Sequence, residues 1–352
     1  MTIDSNSDFD PNGVAEKGKL FGLPGSLADA KIVILPVPWE VTVSYTNGTA
    51  DGPQAILEAS AQVDLYQADI RDAWRMGLHL APIDVNLHKK SNDHRLIAKN
   101  YIEWLEEGSP EDQVERFASV TSIVDKACAE MVAWVKAEAL NYIEQGKVVA
   151  VLGGDHSTPL GLMQALASKH SDFGVLQIDA HADLRQAYEG FEYSHASISY
   201  NALKLPQISK LVQVGIRDYC EEEVNYIENA GNRLKVFFDK DIKESQFDGK
   251  SWKSICDDIV KELPQKVYIT FDIDGLDPKL CPNTGTPVPG GFELEQVLYL
   301  FQQVVKSGRT IIGFDLNEVS PGDNEWNGNV GARALYRMSA LTAVSNQILG
   351  WS

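Results

Sequence analysis

The chain is poor in cysteine and in positive charge, and it has no long apolar run. Four cysteines occur in 352 residues, Cys128, Cys220, Cys256 and Cys281, and no two form a C-x-x-C pair. That argues against a disulfide framework and the common zinc frames, and for reduced, mostly buried thiols in a cytoplasmic protein. Lysine and arginine number 31 against 50 acids, a formal net charge of −19. A duplex nucleic-acid binder needs a basic face to displace counterions from phosphates, and docking on anionic lipid needs one too, so neither nucleic acid nor membrane is an expected partner. No apolar run approaches the ~20 residues that span a bilayer. The opening stretch MTIDSNSDFDPNG has neither the basic nor the apolar segment of a secretory signal. A field of this sign attracts small cations.

What is present fits an ordinary globular chain: 44% of residues are apolar and 27 are glycine. Continuous β-branched runs recur at residues 31–37, 148–153, 174–179, 211–216, 234–238, 266–272 and 310–315. Runs that are apolar at every position predict strands buried on both faces of a parallel sheet. Helical spacing lies between them, over about Val114 to Gln145 and roughly 158–170, 219–230, 250–263, 293–307 and 330–348. This alternation predicts an α/β fold, a sandwich with helices on both faces of the sheet. Residues 1–30 read as a polar arm and 31–352 as one domain. The weakly patterned segment 82–112, with its charged LHKKSNDHR, reads as a surface insertion.

The polar clusters fall where these strands end, which is where open α/β sheets place ligands. VVAVLGGDHS ends a strand with two glycines, then Asp155, His156 and Ser157. Ser157 or Thr158 is expected to cap the next helix, ahead of Pro159. By itself this is a glycine turn with one histidine. GVLQIDAHADLR is sharper. Asp179, His181 and Asp183 alternate along an extended segment, so their side chains share a face. Two carboxylates and an imidazole converging there repel one another unless a cation lies among them. KVYITFDIDGLDP repeats the pattern with Asp272 and Asp274, while Asp277 reads as a turn residue. Four carboxylates are neutralised by two divalent ions. The oxygen-rich set without thiolate suits Mn²⁺ better than structural zinc, and Ni²⁺ remains open. Bridging by Asp179 and Asp272 would hold two such ions and an activated water between them.

In this order and spacing, GGDHS, DAHAD and FDIDGLDP resemble the three signatures of the ureohydrolase family of arginases, agmatinases and formimidoylglutamases. The resemblance extends through residues 36–60, through PNTGTPVPGGF (282–292) and through EVSP (318–321). It implies an arginase-like three-layer α/β/α sandwich with a mostly parallel sheet. It implies that His156 and Asp183 hold one ion and His181 and Asp274 the other, bridged by Asp179 and Asp272. His195, in EYSHAS, matches the family histidine that passes a proton to the leaving amine, and Glu318 matches the acid that pairs with the substrate's guanidinium.

The implied activity is hydrolysis of a guanidino C–N bond with release of urea. The partner is a small cationic guanidino compound, and the assembly a homotrimer or homohexamer. PVPGGF and EVSP are closer to agmatinases than to arginases, so agmatine, a dication, is the expected substrate. Guanidinobutyrate, guanidine, arginine and formimidoylglutamate stay open, because the segment after EVSP, GDNEWNGNVGARALYRM, departs from the common pattern. Single-zinc deacetylases use fewer carboxylates, and a non-enzymatic scaffold would carry a broken ligand set.

Overall fold

The apolar runs assemble into one eight-stranded sheet in the computed structural model, which describes residues 9–352. The strands are β1 (Ile32–Val37), β2 (Leu78–Leu80), β3 (Val148–Gly153), β4 (Phe173–Ile178), β5 (Ile208–Ile216), β6 (Leu234–Phe238), β7 (Lys266–Asp272) and β8 (Thr310–Asn317). Their order is β2-β1-β3-β8-β7-β4-β5-β6, and every neighbouring pair is parallel. Parallel pairing forces each connection to cross a face of the sheet, and helices make those crossings. They are α1 (Gly52–Ser60), α2 (Val85–Glu106), α3 (Val114–Phe117), α4 (Val120–Glu144), α5 (Leu160–Lys169), α6 (Ile198–Ala202), α7 (Glu221–Asn229), α8 (Asp239–Phe247), α9 (Trp252–Lys261), α10 (Leu294–Lys306) and α11 (Trp326–Ser345). Two apolar cores result. One packs α1, α9, α10 and α11 on the sheet, the other α2, α4, α5 and α6. The fold is the three-layer α/β/α sandwich.

Each run expected as a strand is one. The structure adds β2, whose three residues are too short to show a period, on the outer side of β1. The stretch expected as one helix from Val114 to Gln145 is two, α3 and α4, parted at Ala118–Ser119, where Ser119 sits at φ −106°, ψ −1°. The segment 82–112, read as a surface insertion, carries the 22-residue α2. Asp84 caps it by accepting from the N–H groups of Asn86 and Leu87, and its inner face, Leu87, Ser91, Ala98 and Ile102, is buried against the α4 layer. Residues 1–8 of the expected arm lie outside the described residues. Among those described, no helix is long and apolar enough to cross a membrane.

Candidate metal centre and active site

Four central strands, in the order β3-β8-β7-β4, deliver all the singled-out motifs to one edge of the sheet. GGDHS leaves β3, DAHAD leaves β4, Asp272 closes β7 and Glu318 follows β8. The glycines are required by close approach. A Cβ on Gly154 would stand 2.1 Å from the Trp39 carbonyl oxygen, and one on Gly153 1.9 Å from Asn317 Oδ1. Neither Ser157 nor Thr158 caps α5. Both turn inward instead. Ser157 donates its N–H to Asp155, and Thr158 gives its hydroxyl to Asn317 Oδ1 at 2.8 Å.

His156 is fully buried, and its Nδ1 faces carboxylate oxygens of Asp179 at 3.0 Å, Asp183 at 3.0 Å and Asp272 at 3.3 Å. Despite these approaches Nδ1 has no hydrogen-bond partner among the described residues. Three acids crowd it without bonding it, as donors grouped around a cation would. His181 Nδ1 lies 3.0 Å from Asp274 Oδ2 and 3.7 Å from Asp179 Oδ1. Two sets able to hold an ion follow, His156–Asp179–Asp272 and Asp179–His181–Asp274, and they share Asp179. Asp183 adjoins the first, in left-handed backbone geometry at φ 54°.

The tautomer of His156 is set from behind. Its Nε2 is 2.8 Å from Thr270 Oγ1, and that hydroxyl donates to Asp315 Oδ1 at 2.9 Å. With its proton committed to Asp315, the hydroxyl accepts from Nε2–H, so Nδ1 is the nitrogen that faces the acids. Asn317 also donates to Asp315. Thr270 and Asp315 were not singled out from the sequence. Asp315 and Asn317 nevertheless alternate in GFDLNE, the same buried-polar signal that marks Asp272 and Asp274.

The electrostatics describe a cluster short of positive charge. Burial and the Asp179 charge push Asp183 up to about 7. Burial and the charges of Asp274 and Asp179 hold Asp272 well above the carboxylate range. Burial also works to raise Asp179, but the neighbouring imidazoles of His156 and His181 outweigh it and pull Asp179 down. Burial favours neutral His156 and His181, yet their acid partners raise both. Cations held by this donor set would relieve the repulsion that raises Asp183 and Asp272.

Glu318 sits beneath the cluster at φ 64°, a strained conformation for a residue with a Cβ. Its Oε1 accepts from the His156 N–H at 2.9 Å, and its backbone N–H donates to the Gly154 carbonyl at 2.8 Å. Its Oε2 is buried without a partner among the described residues. Gly285 passes so near that a Cβ there would be 2.6 Å from Oε2. Burial and the charge of Asp155 raise Glu318 well above the usual range. His195 shares a cavity of about 130 Å³ with His181, Asp183, Arg185 and Asp218. Its Nδ1 is 3.4 Å from both Thr42 Oγ1 and Ser194 Oγ, and Tyr188 meets its ring edge-on. Burial, then the charges of His181 and His156, push it down to about 3, so the ring is neutral. Asp277 makes a turn, accepting from the Lys279 N–H at 3.0 Å.

A family model described as Arginase family matches residues 30–340. The chain belongs to the arginase family. Curated members similar to it include the N(1)-aminopropylagmatine ureohydrolase of Thermus thermophilus, 31% identical over 92% of this chain and 93% of that protein. The agmatinase of Halalkalibacterium halodurans is 28% identical over 87% and 90%. Among solved structures, the agmatine ureohydrolase of Thermoplasma volcanium superposes with a TM-score of 0.70 at 22% identity, covering 95% of this chain and 97% of that one. Arginase from Bacillus subtilis gives 0.60 at 22% identity, over 89% and 98%. At such identities the superpositions speak for the fold, and the arginase-family fold is the one found here.

Proposed function

We propose that this arginase-family hydrolase cleaves the guanidino C–N bond of agmatine, yielding urea and a diamine, with His156, Asp179, His181, Asp183, Asp272 and Asp274 holding two divalent ions. The observation that carries this is the pair of His/Asp sets sharing Asp179 around a buried, unpartnered His156 Nδ1. Mn²⁺ matches the oxygen-rich donors best, with Ni²⁺ the alternative. When bound, the ions supply Lewis acidity and the charge that lets the four acids ionise together.

The chain's own residues do the rest. Glu318, fixed by His156 N–H, offers its free Oε2 to the guanidinium, where a charge-assisted hydrogen bond is strong because water is excluded. His195 points Nδ1 at Thr42 and Ser194, so Nε2 is the nitrogen left to pass a proton to the departing amine. On the rim, the exposed Asp218 carboxylate suits an ammonium at the substrate's tail. N(1)-aminopropylagmatine is the second reading, favoured by the names of the relatives from Thermus thermophilus and Synechocystis. The subunits are expected to form a homotrimer or homohexamer.

A urea-release screen over agmatine, N(1)-aminopropylagmatine, guanidinobutyrate, guanidine and arginine, with Mn²⁺ or Ni²⁺ loaded, tests the proposal. Agmatine should give the highest kcat/KM. Preference for a substrate with an anionic tail would overturn the assignment, and no urea from any of them would overturn the activity.

A further inference from the structure

Behind Asp179 lies a buried amide chain that the metal set does not include. Gln177 Nε2 donates to Asp179 Oδ2 at 2.8 Å. Gln177 Oε1 accepts twice, from Ser199 Oγ at 2.6 Å and from Gln213 Nε2 at 2.9 Å. Gln213 Nε2 also donates to the Ala182 carbonyl at 2.6 Å, between His181 and Asp183. Gln177 and Gln213 are fully buried, and Ser199 nearly so.

The direction of this chain is not arbitrary. An amide can be turned end for end, and its neighbours decide which end is which. Two donors meet at the Gln177 oxygen, so its NH₂ must face Asp179. The Gln213 NH₂ is occupied by two acceptors, so it cannot turn either. The chain of donors from Gln213 through Gln177 therefore runs toward the carboxylate shared by both His/Asp sets, with side branches to the Ala182 and His181 carbonyls. Asp179 Oδ1 is tied as well, by the His181 N–H at 2.7 Å. Both oxygens are thus aimed, Oδ1 toward His181 and Oδ2 toward His156. Through Ser199 the chain also reaches α6, just after the turn that carries His195, and the Ser199 N–H donates to the Asp183 carbonyl at 3.1 Å.

We propose that Gln177 is a positioning residue for the ion pair: its NH₂, held in one orientation by Ser199 and Gln213, aims Asp179 so that one carboxylate serves both ions. This rests on the ligand assignment proposed above. Outer hydrogen bonds of this kind are typically worth 10–100-fold in metal affinity.

Gln177→Glu separates this role from packing. The variant keeps the side-chain shape and keeps an acceptor for Ser199 and Gln213, and it exchanges the donor facing Asp179 and the His181 carbonyl for a carboxylate oxygen that repels Asp179. Full-length protein, stripped with chelator, is titrated with Mn²⁺ alone and followed by calorimetry and by electron paramagnetic resonance, with circular dichroism to verify folding. Wild type should bind two ions with a spin-coupled spectrum. Gln177→Glu should bind about 10–100-fold more weakly and lose coupling. Ser199→Ala, which frees one anchor of the amide, should lose affinity in the same direction by less, and it carries the test if Gln177→Glu fails to fold. Wild-type affinity and coupling in the folded Gln177→Glu protein, or in Ser199→Ala where that variant carries the test, would overturn the role of Gln177 and leave the ligand assignment intact. A wild type that binds no Mn²⁺ would overturn both.

Discussion

Glu318 and His195 are the residues at which the proposed chemistry separates from the proposed metal binding. Neither belongs to a His/Asp set, yet each borders one. Glu318→Gln keeps the side-chain size and an acceptor for the His156 N–H, and it removes the charge meant for the guanidinium. The expected result is a large fall in kcat/KM with both ions retained. Part of the fall should appear in kcat, because the pairing strengthens as charge gathers on the leaving nitrogens. His195→Asn should lower kcat about 10²–10⁴-fold, the usual worth of general acid–base catalysis, again with both ions retained. Steady-state kinetics beside metal analysis checks both. Ion loss in either variant would make that residue a ligand, and wild-type kinetics would remove it from the reaction. The residues that stand out in the sequence are those whose charge is costly to bury. Asp179, His181, Asp183, Asp272 and Asp274 close or directly follow β-branched strands with groups that need a partner. Gln177 and Thr270 lie on the same strands and escape notice, because a neutral polar side chain inside an apolar run has no comparable cost. Only their hydrogen bonds reveal what they do.

Among elements, seven of the eight strands are readable in the sequence, while β2 and the helices α2, α6 and α8 are not. A parallel strand buried on both faces is apolar at nearly every position, and β4 and β7 show that pattern plainly. The buried stripe of α2 is built from Leu87, Ser91, Ala98 and Ile102, two of them small and only weakly apolar, within an otherwise charged segment. Its periodicity is therefore faint, and the start signal at Asp84 is its clearest mark. α2 also bears on the site. Ser91 Oγ accepts from the Glu40 N–H at 2.8 Å, and Glu40 Oε2 in turn accepts from the N–H groups of Gly48 and Ala50, so the helix steadies the loop that brings Thr42 to His195. Asp84→Ala removes the cap and should lower stability by about 1 kcal/mol. Chemical denaturation should show the midpoint fall with little change in slope. An unchanged midpoint would mean that the cap contributes nothing and that tertiary packing alone holds the helix.

The whole molecule is organised so that β3, β8, β7 and β4, distant in sequence, end side by side at the centre of one sheet. Each contributes one motif, and no motif suffices alone. The sequence order of the three signatures identified the family and the sandwich, but not how closely their side chains approach. The strand order supplies that, and with it the sharing of Asp179 by two sets. A net charge of −19 then places a dense acid cluster inside an already acidic protein, which raises the need for cations at the centre and the attraction for a cationic substrate outside it. The central claim is accordingly a number. Purified protein, stripped with chelator, loaded with Mn²⁺ and freed of excess, is analysed for metal by elemental mass spectrometry. The account predicts two ions per chain. One ion per chain, or none, would contradict it.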